Sequence, residues 1–378
     1  MRLLYGVVGE GLGHATRSVV VIEHLLARGH ELRVVVSGKA HAMMAARFGR
    51  RDGIRLDEIA GLELVLEGNE VDKSETAWKN LESLPHTVRK NVDVYRRVAE
   101  DGFAPEAVVS DFESWAFLYG LNHFLPVVSI DNMQVINRCR HEDDVTGGGG
   151  LAFRFTRTFV KMKLPGAYHY LVTSFFFPPV RKARTTLVPP ILRPEILAAR
   201  RERGEHVLVY QKASALAGVM PLLGKLPHEF RLYGAGKTGR EGNVLMQPFS
   251  ETGFVEDLRT ARAVIAPGGY SLMGEAVHLR VPMLAIPLEG QYEQELNARY
   301  LDKLGYGRRA DLLDEAGIVG FLEGLDRHDA ALAGYTPRGN ELLFGCVDEL
   351  LARIAAGEAR PDRLGAPAMG KWSEDEAG

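Results

Sequence analysis

The residues with the clearest chemical capacity lie in Ala266-Pro-Gly-Gly-Tyr-Ser-Leu-Met-Gly-Glu275, where an apolar run gives way to two glycines and then to a helix beginning near Ser271. Such a strand-to-helix turn presents unpaired N-terminal amides and the positive end of the helix dipole. That setting favours phosphate, and the glycines let a ligand approach the backbone closely. Glu275, about one turn into the helix, can accept hydrogen bonds from vicinal ribose hydroxyls. Any parallel α/β sheet has glycine-containing turns, so this segment alone leaves a purely structural role open. The next apolar run leads into Pro287-Leu-Glu-Gly-Gln-Tyr-Glu-Gln-Glu-Leu-Asn-Ala298, a dense set of carboxylates and amides at the carboxyl end of a strand. Open α/β sheets bind ligands at that edge, and a mixture of Glu and Gln suits a hydroxyl-rich one.

A second group opens the chain. Gly9-Glu-Gly-Leu-Gly-His14 follows an apolar run, with Gly11 and Gly13 making a glycine-rich turn and His14 at a helix start. The dipole there lowers an imidazole pKa and favours the neutral form that a general base needs, although a capping or surface histidine is the ordinary alternative. The spacing is GxGxG rather than GxGxxG, and the second strand ends Val36-Ser37-Gly38 without an acidic residue for an adenosine ribose, which argues against a nicotinamide cofactor. Asp111, in Val108-Val-Ser-Asp-Phe-Glu-Ser114, ends another strand and can face His14, where it would orient the ring and stabilise its protonated form. A helix N-cap is its alternative role.

These side chains need a scaffold of βαβ units. Leu3 to Val8 reads as a buried strand, His14 to Arg28 as a helix stopped by Gly29, and Leu32 to Val36 as a second strand. Ala107 to Ser110 and Pro126 to Ile130 continue a parallel sheet. A second series runs through His206 to Tyr210, Phe230 to Tyr233, Asn243 to Met246, Ala263 to Ala266 and Met283 to Ile286, and Glu341 to Ala355 reads as a closing helix. The expected class is α/β, with a Rossmann-like domain over 1–190, another over 191–357 and a tail over 358–378. The proline-rich stretch Phe177 to Pro194 is the expected connection, and His141 to Gly150, acidic and then four glycines, is expected to be a mobile loop.

A chain of 378 residues suits two cores, and a net charge of −3 gives no reason to expect nucleic acid. Cys139 and Cys346 have no metal-ligand spacing, so a reducing cytoplasm fits and neither a disulfide framework nor a zinc site is expected. No apolar stretch approaches the ~20 residues needed to span a bilayer. Residues 153–163 interleave Arg154, Arg157, Lys161 and Lys163 with Phe153, Phe155, Phe159 and Val160, either a peripheral contact with anionic lipid or a domain helix with a solvated side.

Taken together, the glycine-histidine turn and the GGY-S-x-x-x-E and E-Q-x-x-N-A segments resemble inverting glycosyltransferases of the GT-B fold. The match spans both halves. It is closest to the enzymes that add N-acetylglucosamine to lipid-linked peptidoglycan precursor and to the family that glycosylates small molecules; Gly253 to Gly307 resembles an archaeal and bacterial branch of that superfamily. The resemblance implies two Rossmann-like domains facing a cleft and a nucleotide-sugar donor, UDP- or dTDP-linked. Gly268, Gly269, Ser271 and Leu272 would bind diphosphate, Glu275 ribose, and Glu293 with Gln294 the sugar hydroxyls, with Phe249 and Phe254 flanking the base. His14 matches the general base and Asp111 its partner. Two departures are visible: Ala266-Pro267-Gly268 stands where the family has histidine-cysteine-glycine, and Glu293 where small-molecule enzymes carry aspartate. No Asp-x-Asp occurs, so no metal is expected. A sugar-nucleotide C2 epimerase of the same fold and a non-catalytic nucleotide-sugar binding protein are the rival readings.

Overall fold

The computed structural model describes residues 1–9, 12–61, 66–67, 70–71, 73–211, 216–248 and 250–358. In chain order the first part holds β1 (Arg2–Val7), α1 (Leu12–Ala27), β2 (Glu31–Ser37), α2 (Gly38–Phe48) and β3 (Ile54–Ile59). A small hairpin, β4 (Leu66–Glu67) and β5 (Glu70–Val71), precedes α3 (Lys73–Glu100), β6 (Ala107–Asp111), α4 (Ser114–Asn122) and β7 (Val127–Asp131). Then come α5 (Gln134–Arg138), α6 (Asp143–Thr146), α7 (Leu151–Lys163), β8 (His169–Thr173) and β9 (Thr185–Val188). The second part begins with α8 (Pro194–Ala198), β10 (Val207–Tyr210), α9 (Leu216–Leu223), β11 (Phe230–Tyr233), β12 (Gly239–Glu241) and β13 (Val244–Met246). It continues with α10 (Glu251–Thr260), β14 (Ala263–Ala266), α11 (Tyr270–His278), β15 (Met283–Ala285), α12 (Tyr292–Lys303) and β16 (Gly307–Arg309). Three helices close it: α13 (Glu315–Glu323), α14 (Leu325–Ala333) and α15 (Glu341–Ala355).

Each part is built on a seven-stranded sheet, ordered β3-β2-β1-β6-β7-β8-β9 and β12-β13-β11-β10-β14-β15-β16. Among the described residues, every pairing within these two sheets is parallel except β12 with β13, the edge of the second sheet. Strands covered by helices on both faces must be apolar almost throughout, and β6 (AVVSD) and β7 (VVSID) are buried at every position. The carboxyl ends of these strands carry the polar residues. Pairing of Val7 with Asp111 sets Asp111 beside the turn that leads from β1 into α1.

The expected strands and the two-sheet α/β class are present, but three local expectations are overturned. The segment Phe177 to Pro194 is more than a connection: β9 lies inside it and adds a seventh strand in parallel with β8. The acidic-to-glycine stretch is no bare loop, because it forms α6 with Val145 and Thr146 buried, and the Tyr292 hydroxyl donates to the Thr146 carbonyl at 3.1 Å. Finally, α15, grouped with the second domain on sequence, packs on the first sheet. Its Leu343, Val347, Leu350, Leu351 and Ile354 complete the cluster formed by α1, α2 and that sheet. Phe344 stacks on His24 at 4.1 Å, and His24 Nε2 meets Asp348 Oδ1 at 2.8 Å. Asn340 fixes the entry to the helix, donating to the Leu192 carbonyl at 2.8 Å and accepting from the Leu192 amide at 3.0 Å. The segmental grouping failed because an apolar helix face does not state which sheet it will cover.

Candidate active site

His14 lies in the first turn of α1 and Arg17 one turn further on, a spacing that puts both side chains on one helix face. That face meets Asp111 at the end of β6. His14 Nδ1 is 2.8 Å from Asp111 Oδ1, Arg17 Nε donates to Asp111 Oδ2 at 2.8 Å, and Ser18 Oγ donates to the same oxygen at 2.8 Å. Arg17 Nη2 also donates to Asp111 Oδ1 and approaches His14 Nδ1 to 2.6 Å. The expected His14 and Asp111 pair is therefore brought together, and Asp111 does not cap the following helix; Glu113 does, accepting from the amides of Trp115 and Ala116.

Burial lowers the His14 pKa and the Arg17 charge lowers it further, against the opposing pull of Asp111. Burial would raise the Asp111 pKa, but the Arg17 guanidinium and His14 outweigh it and hold the carboxyl well below the usual carboxylate range. A guanidinium only donates and a carboxylate only accepts, so Asp111 favours a proton on Nδ1 while Arg17 disfavours one.

The network does not stop at the first domain. Arg17 Nη1 donates to Asn132 Oδ1 at 2.7 Å, and Asn132 Nδ2 donates to Glu293 Oε1, at the start of α12, at 2.7 Å. Asn297, one turn along α12, donates to the same Glu293 oxygen at 2.7 Å and reaches the Gly268 carbonyl at 3.4 Å. Burial raises the Glu293 pKa despite these hydrogen bonds. A second crossing is made by Ser271 Oγ, which donates to the Gly13 carbonyl at 3.2 Å. Both glycine turns thus meet across the cleft.

In the second domain α11 begins at Tyr270, with Gly269 as N-cap and no side chain capping it. A Cβ on Gly268 would lie 2.6 Å from the Gln294 carbonyl, so only glycine lets α12 approach the turn. Leu272 packs against the core cluster that spans the two sheets. Gln294 accepts from the Leu288 amide at 3.1 Å, bracing the loop before α12. Both Glu275 oxygens are engaged by Arg193, each at 2.8 Å, and burial raises this carboxyl while Arg193 opposes the rise. Phe254 packs edge-on to Tyr233 at 5.0 Å and to Tyr210 at 6.4 Å, an aromatic group at the carboxyl ends of β10 and β11. Gly11 and Phe249 lie outside the described residues.

Arg17, Asn132 and Arg193 were not singled out on sequence, and Asn297 stood in the E-Q-x-x-N-A segment without a role of its own. Arg17 and Asn297 had a signal, each one helical turn from a residue that was singled out. Asn132 and Arg193 had none, since they reach their partners through tertiary contacts across 161 and 82 positions.

A family model described as glycosyl transferase family 1 matches residues 1–326. The chain belongs to that family. Among its relatives, an uncharacterized glycosyltransferase of Methanosarcina acetivorans is 25% identical over 346 residues, covering 82% of this chain and 85% of its own. One of Methanosarcina mazei is 26% identical over 341 residues, with the same coverage of 82% and 85%. Solved structures similar to it include the glycotransferase of kitacinnamycin, with a TM-score of 0.63 and 17% identity over 93% of this chain and 98% of that one. LpCGTa in complex with UDP has a TM-score of 0.63 and 15% identity over 93% and 99%. The fold is the GT-B architecture, and the protein is a glycosyltransferase enzyme. Such an enzyme takes a nucleotide-sugar donor and an acceptor. Among the described residues no helix is long and apolar enough to cross a membrane.

Proposed function

We propose that this glycosyltransferase moves a sugar from a nucleoside diphosphate, UDP or dTDP, to an acceptor hydroxyl with inversion and without a metal ion. The observation that carries the reading is the meeting of His14, held 2.8 Å from Asp111, with the uncapped N-terminus of α11 across the Ser271 to Gly13 contact. A base for the acceptor and a cradle for the leaving diphosphate then face each other. In this scheme His14 carries its proton on Nδ1, toward Asp111, and leaves the Nε2 lone pair for the acceptor. The acceptor oxygen loses its proton to Nε2 and bonds to the anomeric carbon as the bond to diphosphate breaks, its electron pair passing to the phosphate oxygen. The α11 amides at Gly269, Ser271 and Leu272 stabilise that charge, and Asp111 stabilises the imidazolium.

Ribose would hydrogen bond to the lone pairs of Glu275 that Arg193 leaves free, and the base would stack among Tyr210, Tyr233 and Phe254. Glu293 and Gln294 would hold the sugar hydroxyls. A diphosphate held at the start of α11 would replace the contact of the Ser271 hydroxyl with the Gly13 carbonyl. UDP bound to the similar LpCGTa supports a pyrimidine donor.

The test is incubation with a panel of nucleotide sugars, with and without EDTA, followed by mass spectrometry of nucleotide and sugar. Release of nucleoside diphosphate that EDTA does not suppress is expected, and His14→Ala should lower turnover by about 10² to 10⁴ while donor affinity stays largely intact. An isomeric nucleotide sugar as product would establish the epimerase instead. Donor binding with no turnover beside any acceptor, unaltered by His14→Ala, would favour the binding protein.

A further inference from the structure

Arg193 lies on the connection that carries the chain from the first sheet to the second, and its side chain reaches the donor side of the cleft. Its Nε donates to Glu275 Oε1 and its Nη2 to Oε2, each at 2.8 Å, a two-point fork between side chains only 13% and 7% exposed. Each partner is held from behind. Asn340 clasps both polar groups of the Leu192 backbone, and Pro194 opens α8 directly after Arg193, which fixes the chain on either side of the fork. Gly274, beside Glu275, lets α11 lie against the same connection, since a Cβ there would come within 2.8 Å of the Pro190 Cβ. The pair is thus set in place before any ligand arrives.

What the fork leaves open is as well defined as what it takes. An ionised carboxylate offers about four lone-pair sites, and a guanidinium that spans both oxygens uses one on each. A free acceptor remains on each oxygen, the two in one fixed plane. A ribose presents two vicinal hydroxyl donors, one for each. A 2′-deoxyribose presents a single donor and would leave part of a buried charge unmet. The match requires charge as well as position. Burial pushes the Glu275 pKa up; Arg193 opposes the rise, while Glu195 on α8 and Glu251 on α10 add to it. A protonated Glu275 would carry a hydrogen on one oxygen and lose half of the acceptor pair.

The geometry points to Arg193 as the positioning residue that presents Glu275 to both hydroxyls of a ribose, given the ribose placed there by the donor reading above. The protein then selects ribonucleoside over 2′-deoxyribonucleoside diphosphates and, of UDP and dTDP, takes UDP.

The experiment is titration calorimetry of the full chain with UDP and with 2′-deoxyuridine diphosphate, at about pH 6 and about pH 8.5. The two ligands differ in the 2′-hydroxyl alone, and their diphosphates titrate alike, so phosphate ionisation cancels in the ratio of affinities. Wild type should prefer UDP by about 10- to 100-fold at both pH values, the range for one hydrogen bond to a charged acceptor. Arg193→Met should cut the preference to about threefold or less at the lower pH, where Glu275 is then protonated, and recover part of it at the higher. Arg193→Lys keeps the cation without the fork, and its preference at the lower pH should fall between those two. Glu275→Gln leaves no uncompensated carboxylate and should lose the preference at both pH values, which keeps the test decisive even where Arg193→Met does not fold. A wild-type ratio near one overturns the proposal, while the UDP binding it reports leaves the donor reading standing; binding of neither nucleotide overturns both. A Glu275→Gln protein that keeps the wild-type ratio also overturns it. So does an Arg193→Met protein that binds both nucleotides more weakly by one common factor, since Arg193 would then only support the fold.

Discussion

Replacing Arg17 with methionine should raise the pKa of His14 and move the acid limb of catalysis with it. Arg17 Nη2 lies 2.6 Å from His14 Nδ1. With charge centres about 4 Å apart and an effective dielectric of about 20, the repulsion between guanidinium and imidazolium is about 4 kcal/mol. Entry of water into the vacated space will reduce this, so the His14 pKa should rise by less than the full repulsion allows. In the native protein the limb should lie below the ordinary histidine value of 6.5, because burial and Arg17 both lower the group. In Arg17→Met the Asp111 carboxylate acts with less opposition and the limb should rise from its native position, while burial continues to lower it. The direct assay is NMR titration of the imidazole, assigned by its loss in His14→Gln, which needs no substrate. The kcat/KM profile with the identified donor is the functional counterpart, since it reports the free enzyme.

Arg17→Met also uncovers a buried carboxylate, at a cost of about 3 to 5 kcal/mol. Asp111, with its folded pKa depressed, contributes stability that is complete above the unfolded value of 3.8 and lost as the pH falls toward the folded one. The variant should therefore lose less stability than wild type on acidification, and Arg17→Lys, which keeps the charge, should leave the imidazole titration nearly unchanged. A folded Arg17→Met protein whose His14 resonance titrates as in wild type would refute the reasoning.

Glu293→Gln keeps an acceptor for Asn132 and Asn297 while removing a charge that burial disfavours. Because the folded pKa of Glu293 is raised, the neutral form is the one folding prefers, and the variant should gain about 1 kcal/mol near neutral pH while its kcat/KM falls. A lower melting temperature would count against that account of the carboxylate. Asn340→Ala removes both hydrogen bonds to the backbone of Leu192 and leaves two buried groups unpaired, so chemical denaturation should show a loss of about 2 to 4 kcal/mol. A loss below about 1 kcal/mol would mean that water replaces the clasp.

Much of this scaffold was legible because fully covered parallel strands are apolar throughout, and Phe230–Tyr233 and Ala263–Ala266 fell where the apolar runs placed them. The pairing of His14 with Asp111 followed from strand ends sharing one edge. The rest required distance in sequence to become nearness in space. Arg17 looks like any polar residue on a helix, and only the register of β1 with β6 turns it toward Asp111. Likewise β9 was hidden by its prolines: Thr185–Val188 is only four residues long, between Arg181 and Pro189, and such an edge strand has too little alternation to announce itself. The expected mobility of residues 141–150 was read from composition, yet Val145 and Thr146 find burial against a helix that follows almost 150 residues later.

The return of α15 to the first sheet bears on how the protein is made. The amino-terminal half leaves the ribosome first, but its core lacks Leu343, Val347 and Ile354 until residue 354 has been translated. By then the second sheet, complete by Arg309, has all its strands outside the tunnel. Synthesis order and folding order are therefore inverted: the later half can close while the earlier half still waits with an uncovered apolar face. The nascent amino-terminal half should lean on chaperones during that interval, and nonsense mutations before residue 341 should yield aggregation rather than a soluble fragment.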